Sequence, residues 1–451
     1  MKFIADVCKT INTDIEIQEK MKAAFHTLGC KLNFSETSTI ASEFKNKNFE
    51  IVDFSESADV YVINTCTVTE NADRECRKII RRAKRKNPES YVIVTGCFAQ
   101  IKSERLSKMP EVDAVFGNEE KFKIFDLLGD NFWETGQSCV SVKPTDRIDD
   151  FYFASSSDAD ARTRAFFKIQ DGCDYTCSYC TIPMARGKSR SLPINDVIAQ
   201  FKKILADGYK EIILTGVNVG DYGHRIGTNL YELLLQMVSV NGDFRIRISS
   251  IEPNLLSDEI IKLSKNSKKL VNHFHIPLQS GSDKLLKSMR RRYNTDFFRK
   301  KIITLTEQIP DVGIGIDVIS GFPGETDEDF SRTYQLLDSL PISYLHAFTY
   351  SERENTDALK LEEVVPPKVR KARTNKLRDL SDKKKQEFNS AMIGTVHDVL
   401  FENENHAGYM YGFTSNYIKV KTEYNVDLVN KFTQIRIVDC SENLCLGKIV
   451  Y

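Results

Sequence analysis

The first third of the chain alternates short apolar runs with helical stretches. Three runs rich in β-branched and aromatic residues, "AAFHTLGC", "DVYVINTC" and "SYVIVTGC", each end in a cysteine, and helical patterns occupy residues 35–45 and 73–86. This alternation predicts a parallel sheet with crossover helices. The strands of such a sheet end at one edge, where open α/β folds bind ligands. We therefore expect Cys30, Cys66 and Cys97 to converge there.

A second series of strand-like runs follows an irregular, polar stretch at residues 130–164, which we interpret as a linker. The runs are "AFFKIQ", "EIILTG", "FRIRISS", "HFHIPL", "GIGIDVIS" and "YLHAFTY", and each except the last is followed by a helical segment. Segments such as "PINDVIAQFKKILADG" carry apolar residues at helical spacing. The pattern predicts a partial (βα)6 barrel of the TIM type, whose loops after the strands form the working face.

The pattern changes again at Pro366 and Pro367, which open a basic segment predicted to be a connector helix. Beyond it, short alternating runs such as "YIKVKT" and "FTQIRIVD" predict a small OB-like β-barrel. The whole chain is thus predicted to be an α/β protein with several units. Their predicted bounds are 20–132 for the parallel-sheet domain, 133–160 for the linker, 161–365 for the partial barrel, 366–390 for the connector and 391–451 for the small barrel.

Composition adds the class of protein and its compartment. The 451 residues are 41% hydrophobic and 28% charged, which is typical of soluble globular proteins. No apolar run approaches the ~20 residues of a membrane helix. Charges at Asp6, Lys9 and Asp14 argue against a signal peptide. We therefore predict a cytoplasmic protein with no membrane partner, whose eleven cysteines are thiols or metal ligands rather than disulfides.

Charge is balanced overall, with 63 basic and 63 acidic residues, but three basic runs stand out at 74–86, 287–301 and 368–385. A single run of this kind is usually a solvated helix face. Three of them, if they fall on one side of the molecule, would form a surface for a polyanion.

The strongest chemical signal is "DGCDYTCSYCTIP", which places Cys173, Cys177 and Cys180 directly after the first strand of the predicted barrel. A structural zinc site needs a fourth ligand, and none lies nearby. Cys177 and Cys180 alone would suit a redox pair, but Cys173 and the position after a barrel strand weigh against it. Thiolates also bind iron–sulfur clusters, and three cysteines on a [4Fe–4S] cube would leave one iron open to another ligand.

This spacing after a first barrel strand resembles the radical S-adenosylmethionine superfamily. The resemblance implies that the open iron chelates the amino and carboxylate groups of S-adenosyl-L-methionine, with further contacts from neighbouring strand ends. Loop capping or turn geometry would also explain each of these positions. The cofactor contacts implied in this way are Tyr179, Thr215, Gly216, Asn218, Ser249, Glu252, Gln279, Asp317 and Gly321.

Motifs along most of the chain resemble the methylthiotransferases more closely. They are "TLGCKLN", "VINTCTVT", "VTGCFAQ", "QDGCDYTCSYCTIP", "LTGVNVGDYG", "HFHIPLQSGS", "IDVISGFPGET" and "SEREN", and the C-terminal stretch resembles that family's TRAM domain. These motifs are similar to those of the branch that methylthiolates threonylcarbamoyladenosine beside the tRNA anticodon. By this resemblance Cys30, Cys66 and Cys97 hold a second [4Fe–4S] cluster, whose open iron carries the sulfur to be inserted. Two departures from the family's wording, Met184 and Asp357, touch no cluster ligand.

The resemblance implies radical chemistry, because the C2–H of adenine is not acidic enough for a general base to remove. That hydrogen is replaced by a methylthio group in N6-threonylcarbamoyladenosine at position 37 of tRNA. The implied cofactors are two [4Fe–4S] clusters and S-adenosyl-L-methionine. The expected partners are the tRNA anticodon loop, a flavodoxin- or ferredoxin-like electron donor and a sulfur donor, and nothing demands more than a monomer.

Three alternatives stay open from the sequence. A sister branch of the family modifies isopentenyladenosine in tRNA, and another modifies an aspartate of a ribosomal protein. The third alternative is a non-enzymatic iron–sulfur or RNA-binding protein.

Five further cysteines match no motif and are predicted to be small buried hydrophobes. One of them, Cys76, follows Cys66 on a helix near the implied cluster and is the candidate for a further role. The others are Cys8, Cys139, Cys440 and Cys445.

Overall fold

The computed structural model describes residues 20–156, 163–441 and 443–450, and this part of the chain begins with a three-layer α/β domain. Its strands are β1 (Lys22–Thr27), β2 (Glu50–Val52), β3 (Val60–Thr65), β4 (Tyr91–Gly96), β5 (Ala114–Phe116) and β6 (Cys139–Ser141). Its helices are α1 (Lys31–Asn46), α2 (Glu70–Lys86), α3 (Cys97–Ser107), α4 (Ile124–Leu128) and α5 (Phe132–Thr135). All neighbouring strands pair in parallel, in the order β2-β1-β3-β4-β5-β6, which confirms the predicted parallel sheet.

Helices on both faces explain the apolar runs of the central strands. Every residue of β3 and β4 is buried, as expected for a parallel sheet covered on both sides. One face packs against α2 and α3 through side chains such as Ile80 and Phe98, and the other against α1 and α5 through Phe44 and Phe132. The sheet is a firm platform for the loops at its carboxyl edge.

The stretch predicted to be a linker is partly built into this sheet. Residues 139–141 form β6, and Val140 lies opposite Val115 of β5. A three-residue strand at a sheet edge is too short to show a period of two, and its polar flanks dominate the pattern. Residues 157–162 of the same stretch lie outside the described residues.

The central domain contains the predicted partial barrel. Its strands are β7 (Arg164–Lys168), β8 (Gln170–Asp171), β9 (Arg190–Ser191), β10 (Glu211–Thr215), β11 (Arg245–Ile248), β12 (His273–His275), β13 (Gly313–Ser320) and β14 (Tyr344–Thr349). Its helices are α6 (Ile182–Arg186), α7 (Ile194–Ala206), α8 (Leu230–Ser239), α9 (Asp258–Asn266), α10 (Asp283–Ser288), α11 (Thr295–Gln308) and α12 (Asp327–Ser339). Two parallel groups, β7-β10-β11 and β12-β13-β14, are joined by parallel bridges between Ile246 and Leu270 and between Ser250 and His275. Only the short pair β8 and β9 among these strands is antiparallel.

The C-terminal part consists of a long helix and a closed barrel. Helix α13 (Pro367–Ala391) packs along β14 and buries Leu377 and Leu380 in the core of the central domain. The strands β15 (Val396–Phe401), β16 (Tyr409–Thr414), β17 (Lys419–Glu423), β18 (Phe432–Ser441) and β19 (Leu444–Ile449) close in the order β15-β16-β17-β19-β18. The predicted connector helix and small β-barrel are both present in the structure.

Two cysteines predicted to be free thiols are joined in this barrel. Cys440 of β18 and Cys445 of β19 face each other in an antiparallel pair and form a disulfide. The prediction was wrong because it judged cysteines by motif, whereas this pairing follows from strand register. Cys76 and Cys139 are free thiols, and Cys8 lies outside the described residues.

The basic run on α13 is only partly a solvated surface. Arg370, Arg373 and Lys384 are buried. Arg373 donates hydrogen bonds of 2.6 Å to carboxylate oxygens of Glu325 and Asp327. These three basic side chains hold the helix to the central domain, so they are not free to contact a polyanion.

Within the described ranges, no helix is long and apolar enough to cross a membrane.

Candidate active site between two cysteine groups

The first cysteine group lies at the carboxyl edge of the N-terminal sheet. Thr27 of β1 lies opposite Asn64 of β3, and Thr65 lies opposite Gly96 of β4. The strands therefore end side by side, as predicted. The three cysteines follow these strand ends, with Cys30 just before α1, Cys66 just after β3 and Cys97 as the first residue of α3.

Glycines allow the chain to turn sharply at this edge. Gly29 has a φ of +102°, and a Cβ atom there would lie only 2.8 Å from Cβ and 2.9 Å from Sγ of Cys66. Gly96 has a φ of +93°, a conformation that residues with a side chain rarely adopt. Burial raises the pKa of the Cys66 thiol to about 12. Without a metal this thiol keeps its proton, and metal binding would release it.

The second cysteine group lies on the loop between β8 and α6. The Cys173 amide donates to the Gly187 carbonyl at 3.0 Å, and the Cys180 amide donates to the Cys177 carbonyl at 3.1 Å. Burial raises the pKa values of Cys173 and Cys180 to about 12. These thiols keep their protons at neutral pH, and metal binding would release them.

Each sulfur of this second group accepts a hydrogen bond. The amides of Tyr175 and Ile182 donate to Cys173 and Cys180, both at 3.4 Å. Arg291 Nη1 donates to Cys177 Sγ at 3.2 Å. Donors aimed at sulfur stabilise negative charge there and tune an iron–sulfur cluster. Arg291 belongs to a basic run that we interpreted as a surface for a polyanion, whereas its side chain is only 3% exposed.

A cavity of about 240 Å³ has in its wall residues that follow Cys66 closely in the chain and residues of the second cysteine loop. Val68 and Thr69, which follow Cys66, form part of its wall, and Tyr179 and Cys180 form another part. Strand ends of the central barrel complete the wall, with the side chains Gln279, Asp317, Ile319, Phe348, Thr349, Tyr350 and Ser351.

The predicted cofactor contacts divide into three sets. Tyr179, Gln279 and Asp317 line the cavity. Thr215 Oγ1 and both polar side-chain atoms of Asn218 are buried without a hydrogen-bond partner among the described residues. Buried polar groups are normally paired, so these three atoms suit a bound polar ligand. The second and third sets lie outside the cavity wall, and the third set consists of Gly216, Ser249, Glu252 and Gly321.

Packing and pairing account for members of this third set. A Cβ atom at Gly321, whose φ is +77°, would lie 2.2 Å from Cγ of Arg370, so the position admits only glycine. A Cβ atom at Gly216 would lie 2.8 Å from Gln170 Oε1. Glu252 forms an ion pair with Arg291, and the Ser249 amide donates to the Leu214 carbonyl at 3.2 Å. Their assignment to the cofactor stays a prediction.

A buried cluster of charges joins the domains behind the cysteine groups, and sequence reasoning missed it. Arg186, on the helix that follows the second cysteine group, donates to both carboxylate oxygens of Glu36 on α1 at 3.0 and 2.9 Å. It also donates to Asp171 at 2.9 Å and to Asn33 at 2.6 Å. Glu36 has further ion pairs of 2.6 Å with Lys121 and 3.0 Å with Lys168. We call this set, Glu36, Lys121, Lys168, Asp171 and Arg186, the charged joint.

A second contact joins the domains on the other side of the cavity. Arg353, within the "SEREN" motif, donates to Thr67 at 2.6 Å and to Asp73 at 2.7 Å. Thr67 directly follows Cys66, so this contact and the charged joint together fix the position of the N-terminal domain relative to the central domain.

Cys76 lies beside the first cysteine group, but its thiol supports the packing there and does not act as a ligand. Its thiol points from α2 into the core, is fully buried there and donates to the Cys66 carbonyl at 3.4 Å. The contact supports the loop that carries Cys66.

Among the described residues, no three His, Cys, Asp or Glu side chains are placed to hold a single metal ion. A [4Fe–4S] cube carries its irons at separate corners, so it takes thiolates that lie farther apart than the ligands of one ion. All-thiol groups of three suit such a cube.

Comparison with known proteins gives family matches for both the N-terminal and the central domain. The Uncharacterized protein family UPF0004 matches residues 22–117, and the Radical SAM superfamily matches residues 167–337. The radical S-adenosylmethionine methyltransferase TsrM from Kitasatospora setae has a similar fold, with a TM-score of 0.52 at 14% identity over 73% of each chain.

Curated relatives match over nearly the whole chain. The threonylcarbamoyladenosine tRNA methylthiotransferase MtaB of Bacillus subtilis is 40% identical over 92% of this chain and 93% of its own length. MtaB of Aquifex aeolicus is 40% identical over 89% of this chain and 97% of its own. The tRNA-2-methylthio-N(6)-dimethylallyladenosine synthase of Clostridium tetani is 32% identical over 96% of each chain.

The partial barrel with its three-cysteine loop, together with the superfamily match, defines a radical S-adenosylmethionine enzyme. The relatives define the family more closely. The chain belongs to the radical S-adenosylmethionine methylthiotransferases, which confirms the resemblance drawn from its motifs.

Proposed function

We propose that this protein replaces the C2 hydrogen of N6-threonylcarbamoyladenosine at position 37 of tRNA by a methylthio group, using two [4Fe–4S] clusters and S-adenosyl-L-methionine. The observation that carries the proposal is the cavity of about 240 Å³ with loops from both cysteine groups in its wall. Sulfur insertion needs a hydrogen-abstracting centre and a sulfur-carrying centre that reach one substrate atom, and one chamber between two thiol groups meets that requirement.

The cysteine groups and the end of strand β10 offer groups that fit the cofactors. Each cysteine group offers three thiols, which leaves one iron of a cube open. Thr215 Oγ1 and the Asn218 amide are unpaired polar atoms suited to the charged amino-acid end of S-adenosyl-L-methionine. When bound, the clusters and S-adenosyl-L-methionine supply the radical chemistry and the sulfur that an unactivated C–H bond requires.

The protein's own residues position these groups and exclude water. Arg291 and the amides of Tyr175 and Ile182 stabilise charge on the cysteine sulfurs of the second group. The rings of Tyr179 and Phe348 in the cavity wall provide faces on which an adenine can stack.

A tRNA substrate is supported by the relatives, which are named as enzymes acting on tRNA adenosines. The threonylcarbamoyl branch is supported by 40% identity to its members, against 32% to the dimethylallyladenosine synthase of Clostridium tetani. Helix α2 begins directly after Thr69, a residue of the cavity wall, and carries exposed basic side chains along its length, including Arg74, Lys78, Arg81 and Arg85. RNA phosphates bound there would make affinity fall steeply with salt.

The rest of the proposal concerns partners. A flavodoxin- or ferredoxin-like electron donor and a sulfur donor serve the enzyme, which acts as a cytoplasmic monomer.

Nucleoside mass spectrometry of tRNA tests the proposal. The gene is expressed in a bacterial host that lacks its own methylthiotransferases for tRNA. We expect 2-methylthio-N6-threonylcarbamoyladenosine with the unaltered chain and none with Cys66→Ala or Cys173→Ala. Cys139→Ala is the matched control, because this cysteine belongs to neither group and should leave the product unchanged.

Iron content separates the two centres in the same proteins. Anaerobically reconstituted chain should hold about eight irons, and each of the two cysteine variants about four. An unchanged nucleoside profile, or a methylthio product only on dimethylallyladenosine, would refute the proposed substrate. About four irons in the unaltered chain would refute the second cluster.

A further inference from the structure

Lys31 connects the first cysteine group to the interior of the central barrel. It directly follows Cys30 and is the first residue of α1. Its ammonium nitrogen lies 5.9 Å from the centre of the Phe166 ring and 6.0 Å from the centre of the Tyr417 ring. In the part of the chain that the structure describes, no carboxylate forms an ion pair with it. Lys31 is therefore a cation held among ring faces with no counter-charge of its own.

A row of ring side chains leads from this ammonium to the cavity. The Tyr417 ring lies 4.7 Å from that of His273, and His273 Nε2 lies 2.9 Å from the Tyr344 hydroxyl. The row continues along β14 and β12 with ring separations of 5.3 Å and 5.2 Å, from Tyr344 to His346 and from His346 to His275. We call these five residues, Tyr417, His273, Tyr344, His346 and His275, the inner wall.

The inner wall reaches the cavity at Asp317. His275 Nε2 lies 2.8 Å from Asp317 Oδ1, and Asp317 lines the cavity between the cysteine groups. On β14 the same face that carries His346 also carries Phe348, which lines the cavity as well. A substituent that extends from a base in the cavity would therefore run along the inner wall towards Lys31.

The floor of the barrel interior carries excess positive charge. Glu211 is buried between Arg245 and Arg247, and Arg164 pairs with Glu402, so three arginines face two glutamates. The guanidinium carbon of Arg247 lies 4.7 Å from the centre of the Tyr417 ring, the same ring that the Lys31 ammonium approaches at 6.0 Å. Burial lowers the pKa values of His273 and His346, so these rings are neutral hydrogen-bonding groups. An anion placed beside Lys31 would relieve the repulsion among these cations.

We propose that Lys31 binds the carboxylate of the threonylcarbamoyl group and thereby selects this substrate, an inference that rests on the proposed function. The threonylcarbamoyl group carries a carboxylate and a hydroxyl, whereas a dimethylallyl group carries neither. The ammonium of Lys31 receives the carboxylate, and the neutral histidines of the inner wall exchange hydrogen bonds with the hydroxyl. Because Lys31 adjoins Cys30, binding the substituent also fixes the base relative to the first cysteine group.

Two RNA substrates distinguish a carboxylate contact from a phosphate contact. One is an anticodon stem-loop with N6-threonylcarbamoyladenosine, and the other is the same stem-loop with the carboxylate converted to a carboxamide. Binding is measured by fluorescence anisotropy with the unaltered chain, Lys31→Met, Lys31→Arg and Lys45→Met. Lys45 is the matched control, because it is an exposed lysine on the same helix.

We expect the unaltered chain to bind the carboxylate RNA roughly tenfold or more tightly than the carboxamide RNA, as for a hydrogen bond to a charged group. Lys31→Met should lose this preference and bind both RNAs like the carboxamide form. Lys31→Arg should recover part of the preference, and Lys45→Met should keep all of it. Iron content of each variant, equal to that of the unaltered chain, shows that the cysteine group is still assembled.

Two outcomes would overturn the inference. One is an equal loss on both RNAs with Lys31→Met, which would assign Lys31 to a phosphate or to the structure. The other is equal binding of both RNAs by the unaltered chain, a comparison that needs no variant to fold. If the carboxylate preference depends on Lys31 but no methylthio product forms, the proposed function fails and the carboxylate site stands.

Discussion

The two outer domains are attached to the central barrel in different ways. The N-terminal domain is held by contacts between side chains, above all the ion pairs of Glu36 with Lys121, Lys168 and Arg186. The C-terminal barrel is held largely through its backbone. Arg245 Nη2 donates to the Phe413 carbonyl at 2.8 Å, and Arg247 donates to the carbonyls of Ser415 and Thr414 at 3.1 and 3.2 Å.

The difference matches what each interface must do. A side chain paired in several directions fixes the position of its partners, and Arg186 contacts both α1, which follows Cys30, and Asp171 of β8, which precedes Cys173. Every residue has a backbone carbonyl. An arginine that binds carbonyls therefore depends on the conformation of the loop and not on which side chains the loop carries. The first interface fixes the N-terminal domain relative to the central barrel, and the second attaches the C-terminal barrel.

The largest effect is expected from Arg186→Gln. The substitution leaves Glu36 and Asp171 buried with fewer cations, and breaking a buried pair costs about 3–5 kcal/mol. Urea unfolding measures the loss. Arg225→Gln is the control, since Arg225 pairs with Asp174 at 2.9 Å on the surface beside the same cysteine loop and should cost at most about 1 kcal/mol. Equal losses for the two variants would contradict a special role for the charged joint.

A smaller effect is expected from Arg247→Met at the other interface. Glu211 keeps Arg245, while two hydrogen bonds to carbonyls are lost, at a cost of about 2–3 kcal/mol. Limited proteolysis should release residues 391–450 faster than from the unaltered chain. Arg436→Met is the control, because this exposed arginine donates only within the C-terminal barrel, to the Gly394 carbonyl at 2.9 Å. Release at the same rate from both variants would count against a role of Arg247 in holding the C-terminal barrel.

The smallest expected effect is a loss of stability at acid pH, and we expect it to be similar for the two interfaces. Burial by itself would raise the pKa values of Glu36 and Glu211, but the neighbouring cations outweigh it and hold both pKa values below the ordinary 4.5. A depressed carboxyl pKa stabilises the fold above the unfolded value, and this stability is lost as pH falls through 4.5 towards the folded value. Protonation of each glutamate should lower the free energy of unfolding by about 1 kcal/mol between pH 7 and pH 4. Unfolding free energies that stay constant over this range would show that the pairs are not charged.

Much of the fold follows from local patterns in the sequence. The apolar runs of β3 and β4 and the six strand-like runs of the partial barrel stand out against their polar flanks, and parallel topology then places Cys30, Cys66 and Cys97 at one edge. The cysteine spacing of the second group is local as well. These elements could be predicted because each signal lies within a short window.

The charged joint could not be predicted in this way. Glu36 meets Lys121, Lys168 and Arg186 from 85, 132 and 150 positions away, and each residue alone looks like an ordinary surface charge. The same holds for Arg291, which stands among exposed basic residues but turns inward to Cys177. Such side chains acquire their role from the packing of domains, which no single segment encodes.

The chamber between the cysteine groups has walls from two domains, with Val68 and Thr69 on one side and Tyr179 and Cys180 on the other. Neither half alone provides the whole wall. A fragment of this enzyme could fold and bind iron, yet it would have no compartment in which to bring sulfur and base together. Cutting the gene between its domains should therefore abolish turnover completely, even if each product remains stable.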